Sequence, residues 1–127
     1  MSFRETLFTR MTSGHAGLSA LISTRAYPVA LRQQDTLPAI RYNLITTITP
    51  PLMGSDAGLK DYTYQFDIYG STAQVDAVIV QLRSALVRWR PGVGVPQDSF
   101  VINESDLYEE DLNLYGARID IRFIVEE

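Results

Sequence analysis

The residues able to do chemistry in this chain are few. His15 is the one histidine, and there is no cysteine. His15 follows Gly14 between two helical stretches. It has no second histidine, no cysteine and no serine placed to work with it, so neither a nucleophilic triad nor a metal site is expected. The dense carboxylate cluster is Glu104, Asp106, Glu109, Glu110 and Asp111. Calcium takes about six to eight oxygens from a glycine-assisted loop, and the D-x-[DN]-x-[DN]-G pattern is absent, so the cluster reads as a solvated acidic segment or a protein-contact patch. The glycines of Gly92-Val93-Gly94-Val95-Pro96 follow a helical stretch instead of opening one, and they lack the lysine and hydroxyl of a phosphate loop. Gly14 and Gly17 lack the pattern of a dinucleotide site. Arg83, Arg88 and Arg90 gather where a helix should end, and cations there complement the helix dipole. No catalytic residue, cofactor or metal is expected, and the chain does not read as an enzyme.

Charge is distributed unevenly. The net charge is -4, which argues against a nucleic-acid binder. Residues 1–97 hold nine basic and six acidic side chains, and residues 98–127 hold two and nine, so a +3 portion precedes a -7 portion. One part of the chain is thereby suited to attract the other part of a neighbouring copy. Ten of the eleven basic residues are arginine, with Lys60 the exception. Arginine's planar fork pairs bidentately with carboxylates and suits interfaces. No apolar run approaches the roughly 20 residues that span a bilayer. Met1-Ser2-Phe3-Arg4-Glu5 has no apolar core of a secretion signal, so cytoplasmic synthesis is expected. The seven tyrosines do not form a basic, aromatic groove, and Tyr62 and Tyr64 fall on the apolar side of a strand pattern.

The elements that must position these residues follow from periodicity within one domain, 1–127. Ser2 and Glu5 fit a capping box opening a helix through about Met11, with Phe3, Leu7, Phe8 and Met11 as its buried stripe; Ser13-Gly14 breaks it. Ala16 to Ile22 reads as a second helix. Arg25 to Leu31 is extended, and Ile40 to Thr49 is a β-branched strand. Pro50 to Gly58 excludes regular structure. Asp61 to Tyr69 alternates, with Tyr62, Tyr64, Phe66 and Ile68 predicted inside and Thr63, Gln65, Asp67 and Tyr69 outside. Gly70 closes that strand. Ser71 and Gln74 cap a long helix from Thr72 to about Trp89, striped by Val75, Val78, Ile79, Leu82, Ala85, Leu86 and Trp89. Ser99 to Asn103 is a short strand, Glu104 to Asn113 an acidic connection, and Leu114 to Val125 a final alternating strand. The order predicts an α+β fold: a mixed, mainly antiparallel sheet of four to five strands with helices packed on one face.

Several of these segments carry a family resemblance. Arg25-Ala26-Tyr27-Pro28, Leu37-Pro38-Ala39-Ile40-Arg41-Tyr42, Tyr64-Gln65-Phe66-Asp67-Ile68-Tyr69-Gly70 and the capped helix ending Leu82-Arg83-Ser84-Ala85-Leu86 resemble the tail-completion proteins of long-tailed bacteriophages. Glu104-Ser105-Asp106-Leu107-Tyr108-Glu109 before Leu114-Tyr115 fits as well. The likeness runs from about Leu18 to Val125 and rests on turn and core residues. One departure is that Gly116-Ala117 stand between Tyr115 and Arg118, where the family tends to place a basic residue at once. The resemblance implies a tail-terminator-like fold and a virion structural protein of the tail and neck. Such proteins form a hexameric ring that closes the head-proximal end of the tail tube and joins it to the head–neck connector. The implied partners are other copies, the tail tube protein and the connector protein, with no specific nucleic acid and no membrane. Leu52, Met53, Asp56 and Lys60, in the long Pro50–Lys60 segment, are candidate contacts with neighbouring rings, and the acidic and arginine sets are candidate contacts between copies. The other reading open to the sequence is a small α+β ligand-binding or regulatory module, which requires a pocket between sheet and helices.

Overall fold

The computed structural model describes residues 3–28, 37–48, 59–89, 96–109 and 114–126. Helix α1 (Phe3–Thr9) runs on through a π-helical turn, Arg10–Gly14, so the helix continues past the expected stop at Met11. Side-chain hydroxyls account for the widened turn: Thr12 Oγ1 donates to Phe8 O at 2.7 Å and Ser13 Oγ to Thr9 O at 3.1 Å. Such back-bonding competes with the helical ladder. Helix α2 (Ala16–Ile22) has the predicted bounds. Strand β1 (Ala26–Pro28) is followed by β2 (Ala39–Ile48), β3 (Leu59–Tyr69), α3 (Thr72–Leu86), β4 (Pro96–Glu109) and β5 (Leu114–Glu126).

The fold is α+β. Among the described residues, five strands form one mixed sheet in the order β1-β2-β3-β5-β4, with β1–β2 parallel and the other three pairs antiparallel. The predicted capping box of α3 is present: Gln74 N donates to Ser71 Oγ at 3.2 Å and Ser71 N to Gln74 Oε1 at 2.9 Å. A Cβ at Gly70 would lie 2.9 Å from Gln74 Oε1, so a larger residue there would displace the side chain that closes the box. The helix ends at Leu86, three residues before the expected Trp89. Val87 N bonds back to Arg83 O, Arg88 takes a positive φ of 58°, and the chain leaves toward β4. Buried Ser99 joins that exit to the sheet by donating to Leu86 O and accepting from Trp89 N.

One hydrophobic cluster unites the helices with one sheet face. Phe3, Leu7, Met11, Leu18 and Ile22 from the N-terminal helices and Val75, Val78, Leu82 and Leu86 from α3 pack on Tyr64, Phe66, Ile119, Ile121 and Phe123. Phe3 anchors α1 there, stacked on Tyr62 at 5.3 Å and tilted against Phe123 at 5.1 Å. Arg10 ties the π-helical turn to the end of α3: its Nε donates to Ala85 O at 2.9 Å and its guanidinium lies 5.3 Å from the Trp89 ring. Burial holds the Arg10 pKa below its ordinary value.

Two sequence expectations are corrected. Glu104 to Glu109 is not a connection but the second half of β4, a strand far longer than Ser99–Asn103. The alternation of β5 extends this pairing, matching Ser105 to Arg118, Asp106 to Ala117 and Tyr108 to Tyr115. Strand β3 is not half-buried: of the residues expected to face solvent, Thr63, Asp67 and Tyr69 are buried and Gln65 is partly buried, and Asp61 at the start of the strand is buried too.

Candidate functional site

The burial of those aspartates is explained by the opposite sheet face, across the sheet from the helix-packed cluster. Register sets Arg41 of β2 beside Asp67 of β3, and Asp67 beside Arg118 of β5. Arg41 Nε donates to Asp67 Oδ2 at 3.1 Å, and its Nη2 reaches the same oxygen. Arg118 Nε donates to Oδ1 at 2.8 Å and Nη2 to Oδ2 at 3.3 Å. One buried carboxylate thus ties three strands together. Toward the other end of the face Arg122 Nε lies 2.8 Å from both oxygens of Asp61, and the Arg122 guanidinium sits 5.7 Å from the exposed Phe100 ring. Hydrogen bonds to Asp67 and Asp61 raise the pKa values of Arg118 and Arg122 above the ordinary arginine value. Between the two clusters runs a polar row, Asn43, Gln65, Asp120 and Asn103, in which buried Asn43 Oδ1 and Asp120 Oδ1 find no hydrogen-bond partner among the described residues. The carboxylates lie beneath, and the partly exposed guanidinium groups form the outer layer.

Gly116 makes this register possible. A Cβ there would come 2.5 Å from Ile68 O, so the close approach of β5 to β3 admits only glycine. Gly116-Ala117, which stand between Tyr115 and Arg118, carry the chain past Tyr69 and Ile68 and set Arg118 opposite Asp67.

The predicted contact residues fall in three groups. Arg83 and Glu104, expected in separate patches, are brought together: Arg83 Nε donates to Glu104 Oε1 at 3.1 Å, and Nη2 also reaches this carboxylate. The pair bridges α3 to β4 and is largely exposed, so it contributes little stability. Asp106 accepts from Tyr115 Oη at 3.3 Å. Arg88 is exposed in the turn after α3, its N–H donating to Ser99 O. Lys60 lies in β3 opposite Val125, and Glu109 ends β4 opposite Leu114. Leu52, Met53, Asp56, Arg90, Glu110 and Asp111 lie outside the described residues, as does the glycine stretch 92–94.

His15 does have a serine beside it, contrary to expectation: Nε2 is 3.3 Å from Ser84 Oγ. Its Nδ1 accepts from Leu18 N as the N-cap of α2, so Nε2 carries the ring proton and donates to the hydroxyl. A base for Ser84 would need that nitrogen free. Among the described residues no group of three or more His, Asp or Glu is arranged to hold a metal ion, and no helix is long and apolar enough to cross a membrane. An open hollow of about 400 Å³ lies beside α1, lined by Arg4, Glu5, Phe8, Thr9 and Tyr42, and one of about 350 Å³ lies between α3 and β4. Burial raises the Tyr42 pKa above its ordinary value.

The arginine–aspartate network was missed in the sequence because it depends on register. The signal present was the set of Asp61, Asp67, Arg118 and Arg122 at outward positions of two strands.

No protein-family model matches the chain, and no curated protein sequence does. Among solved structures, a chain of "Virion of native gene transfer agent (GTA) particle" shares the fold, with a TM-score of 0.65 at 16% identity over 95% of this chain and 92% of that one.

Proposed function

We propose that this chain is a structural protein of a phage or phage-like virion, acting as a hexameric ring that closes the head-proximal end of the tail tube and joins it to the head–neck connector. The observation that carries the reading is the fold shared along nearly the whole length of both chains with a component of a gene transfer agent virion. The resemblance of the turn and core residues to tail-completion proteins points the same way. The geometry is compatible with an assembly role: Arg41, Arg118 and Arg122 are committed to Asp67 and Asp61, and what is left over is surface and charge asymmetry.

Mass measurement of the purified protein, alone and mixed with its tail tube, tests the proposal. The expected result is a hexamer, or a monomer that becomes a ring on the tube. A stable monomer that ignores tube and connector and binds a metabolite refutes it. The segment 49–58 joins β2 to β3 outside the described core, and we assign it the contact with the neighbouring ring. Deleting Leu52–Gly58 is expected to leave the circular dichroism of the domain intact and abolish head–tail joining. Joining that survives the deletion removes the segment from the interface.

A further inference from the structure

With a single histidine and no cysteine, His15 is the one side chain of this sequence whose ordinary ionisation falls between about pH 5 and 8. It stands where the π-helical turn hands the chain to α2, and both of its ring nitrogens are in use. Nδ1 accepts from Leu18 N at 3.3 Å as the N-cap of α2, and Nε2 faces Ser84 Oγ of α3 at 3.3 Å. His15 O accepts from Ser19 N at 3.0 Å, so the backbone of the same residue opens the helix. The junction is tight. A Cβ on Gly17 would run into the Gln81 amide of α3 and lie 3.3 Å from His15 Cε1, so the first turn of α2 lies directly against α3. Buried Leu18 and Ile22 carry the helix from there into the core.

A bare ring nitrogen accepts a hydrogen bond, and a protonated one can only donate. Proton uptake at Nδ1 therefore sets an N–H against the Leu18 N–H. It also puts a positive charge at the N-terminal end of α2, where the helix dipole disfavours it. Nε2 donates to Ser84 Oγ in either state, so the change falls on the cap. The surroundings do not compensate. From the π-helical turn the charged side chain at this junction is Arg10, also positive, whose Nη1 donates to Gly14 O at 2.9 Å. From α3 the facing side chains are Gln81 and Ser84, both uncharged. Among the described residues no carboxylate forms an ion pair with the ring. A helix of seven residues has little stability of its own, so the loss of its cap is felt. We propose that His15 is an acid-sensitive latch: the neutral ring caps α2 and holds its first turn to α3, and protonation undoes the cap and loosens that end of the helix layer. The inference concerns the fold and stands whether or not the chain works as a ring.

His15→Asn tests this, because asparagine is an equally good cap and does not titrate. Urea unfolding of the full chain is compared at about pH 7.5 and about pH 5.5, on either side of the ordinary imidazole range. Over that interval the unfolding equilibrium constant of the parent should rise about fivefold more than that of His15→Asn, the worth of one cap. Carboxylates that begin to titrate near the lower pH are common to both proteins and cancel. An equal change in the two proteins overturns the proposal. Amide exchange reads the same event locally. Protection of the Leu18 amide, corrected for the intrinsic pH dependence of exchange, should fall on acidification in the parent and hold in His15→Asn. A fall no larger in the parent than in the variant overturns the proposal. Ser84→Ala leaves the cap in place and should keep the parental pH response. If the response vanishes in that variant, it belongs to Nε2 and not to the cap, and the proposal fails.

Discussion

Asp67→Asn removes the one negative charge that holds Arg41 and Arg118 to the central strand. Asp67 is fully buried and accepts from Nε and Nη2 of both arginines. Asparagine has nearly the same shape but only one acceptor oxygen, and its amide donors would face guanidinium donors. Removing one partner of a buried ion pair costs about 3–5 kcal/mol. Here the cost falls at the lower end, because the side chains of Arg41 and Arg118 are 24% and 33% exposed and can turn to water. We expect about 3 kcal/mol in urea unfolding, or a fall of about 10 °C in Tm for a domain of this size. Asp61→Asn is the internal control. Among the described residues Asp61 bonds one arginine, Arg122, whose side chain is 42% exposed, and about 1 kcal/mol is expected. Replacing the whole triad, Arg41→Met with Asp67→Leu and Arg118→Met, should recover most of the loss, since matched apolar side chains replace buried ion pairs at little cost. Should Asp67→Asn unfold within 0.5 kcal/mol of the parent, or Asp61→Asn prove the more damaging, the claim that this carboxylate ties three strands is wrong.

Two further outcomes follow from buried groups. Ser99→Ala leaves Leu86 O and Trp89 N without their partner where α3 meets β4, and should cost about 1–3 kcal/mol in the same unfolding assay. Tyr42 holds its proton to higher pH in the folded state than its ordinary 10.0. Above that pH the unfolded chain ionises first, so the contribution of Tyr42 is full below 10.0 and is lost as pH rises through the folded value; Tyr42→Phe should show a shallower alkaline loss of stability.

Local order was legible because local chemistry decides it. Ser71 and Gln74 sit three apart before an apolar stripe, and the capping box they predict opens α3. The core face was legible from the alternation of Tyr64, Phe66 and Ile68. What escaped depends on partners distant in sequence. Asp67 alternates as a solvent residue does, and only the register that puts it between Arg41 and Arg118 buries it. Glu104 to Glu109 has the composition of a loop, yet β5 is long enough to pair with all of it, and tertiary pairing overrides weak strand propensity. The end of α3 at Leu86 reflects the same competition, with Ser99 drawing the chain to the sheet before its helical pattern runs out.

The arginine network and Gly116 together fix the register of the sheet's interior. A strand slipped by one residue turns every side chain to the other face, so register is strongly specified wherever a face is buried. In β2, β3 and β5 such a slip would pull Asp67 from both arginines and press a side chain other than glycine against Ile68 O. The interior register is therefore fixed independently of any neighbour.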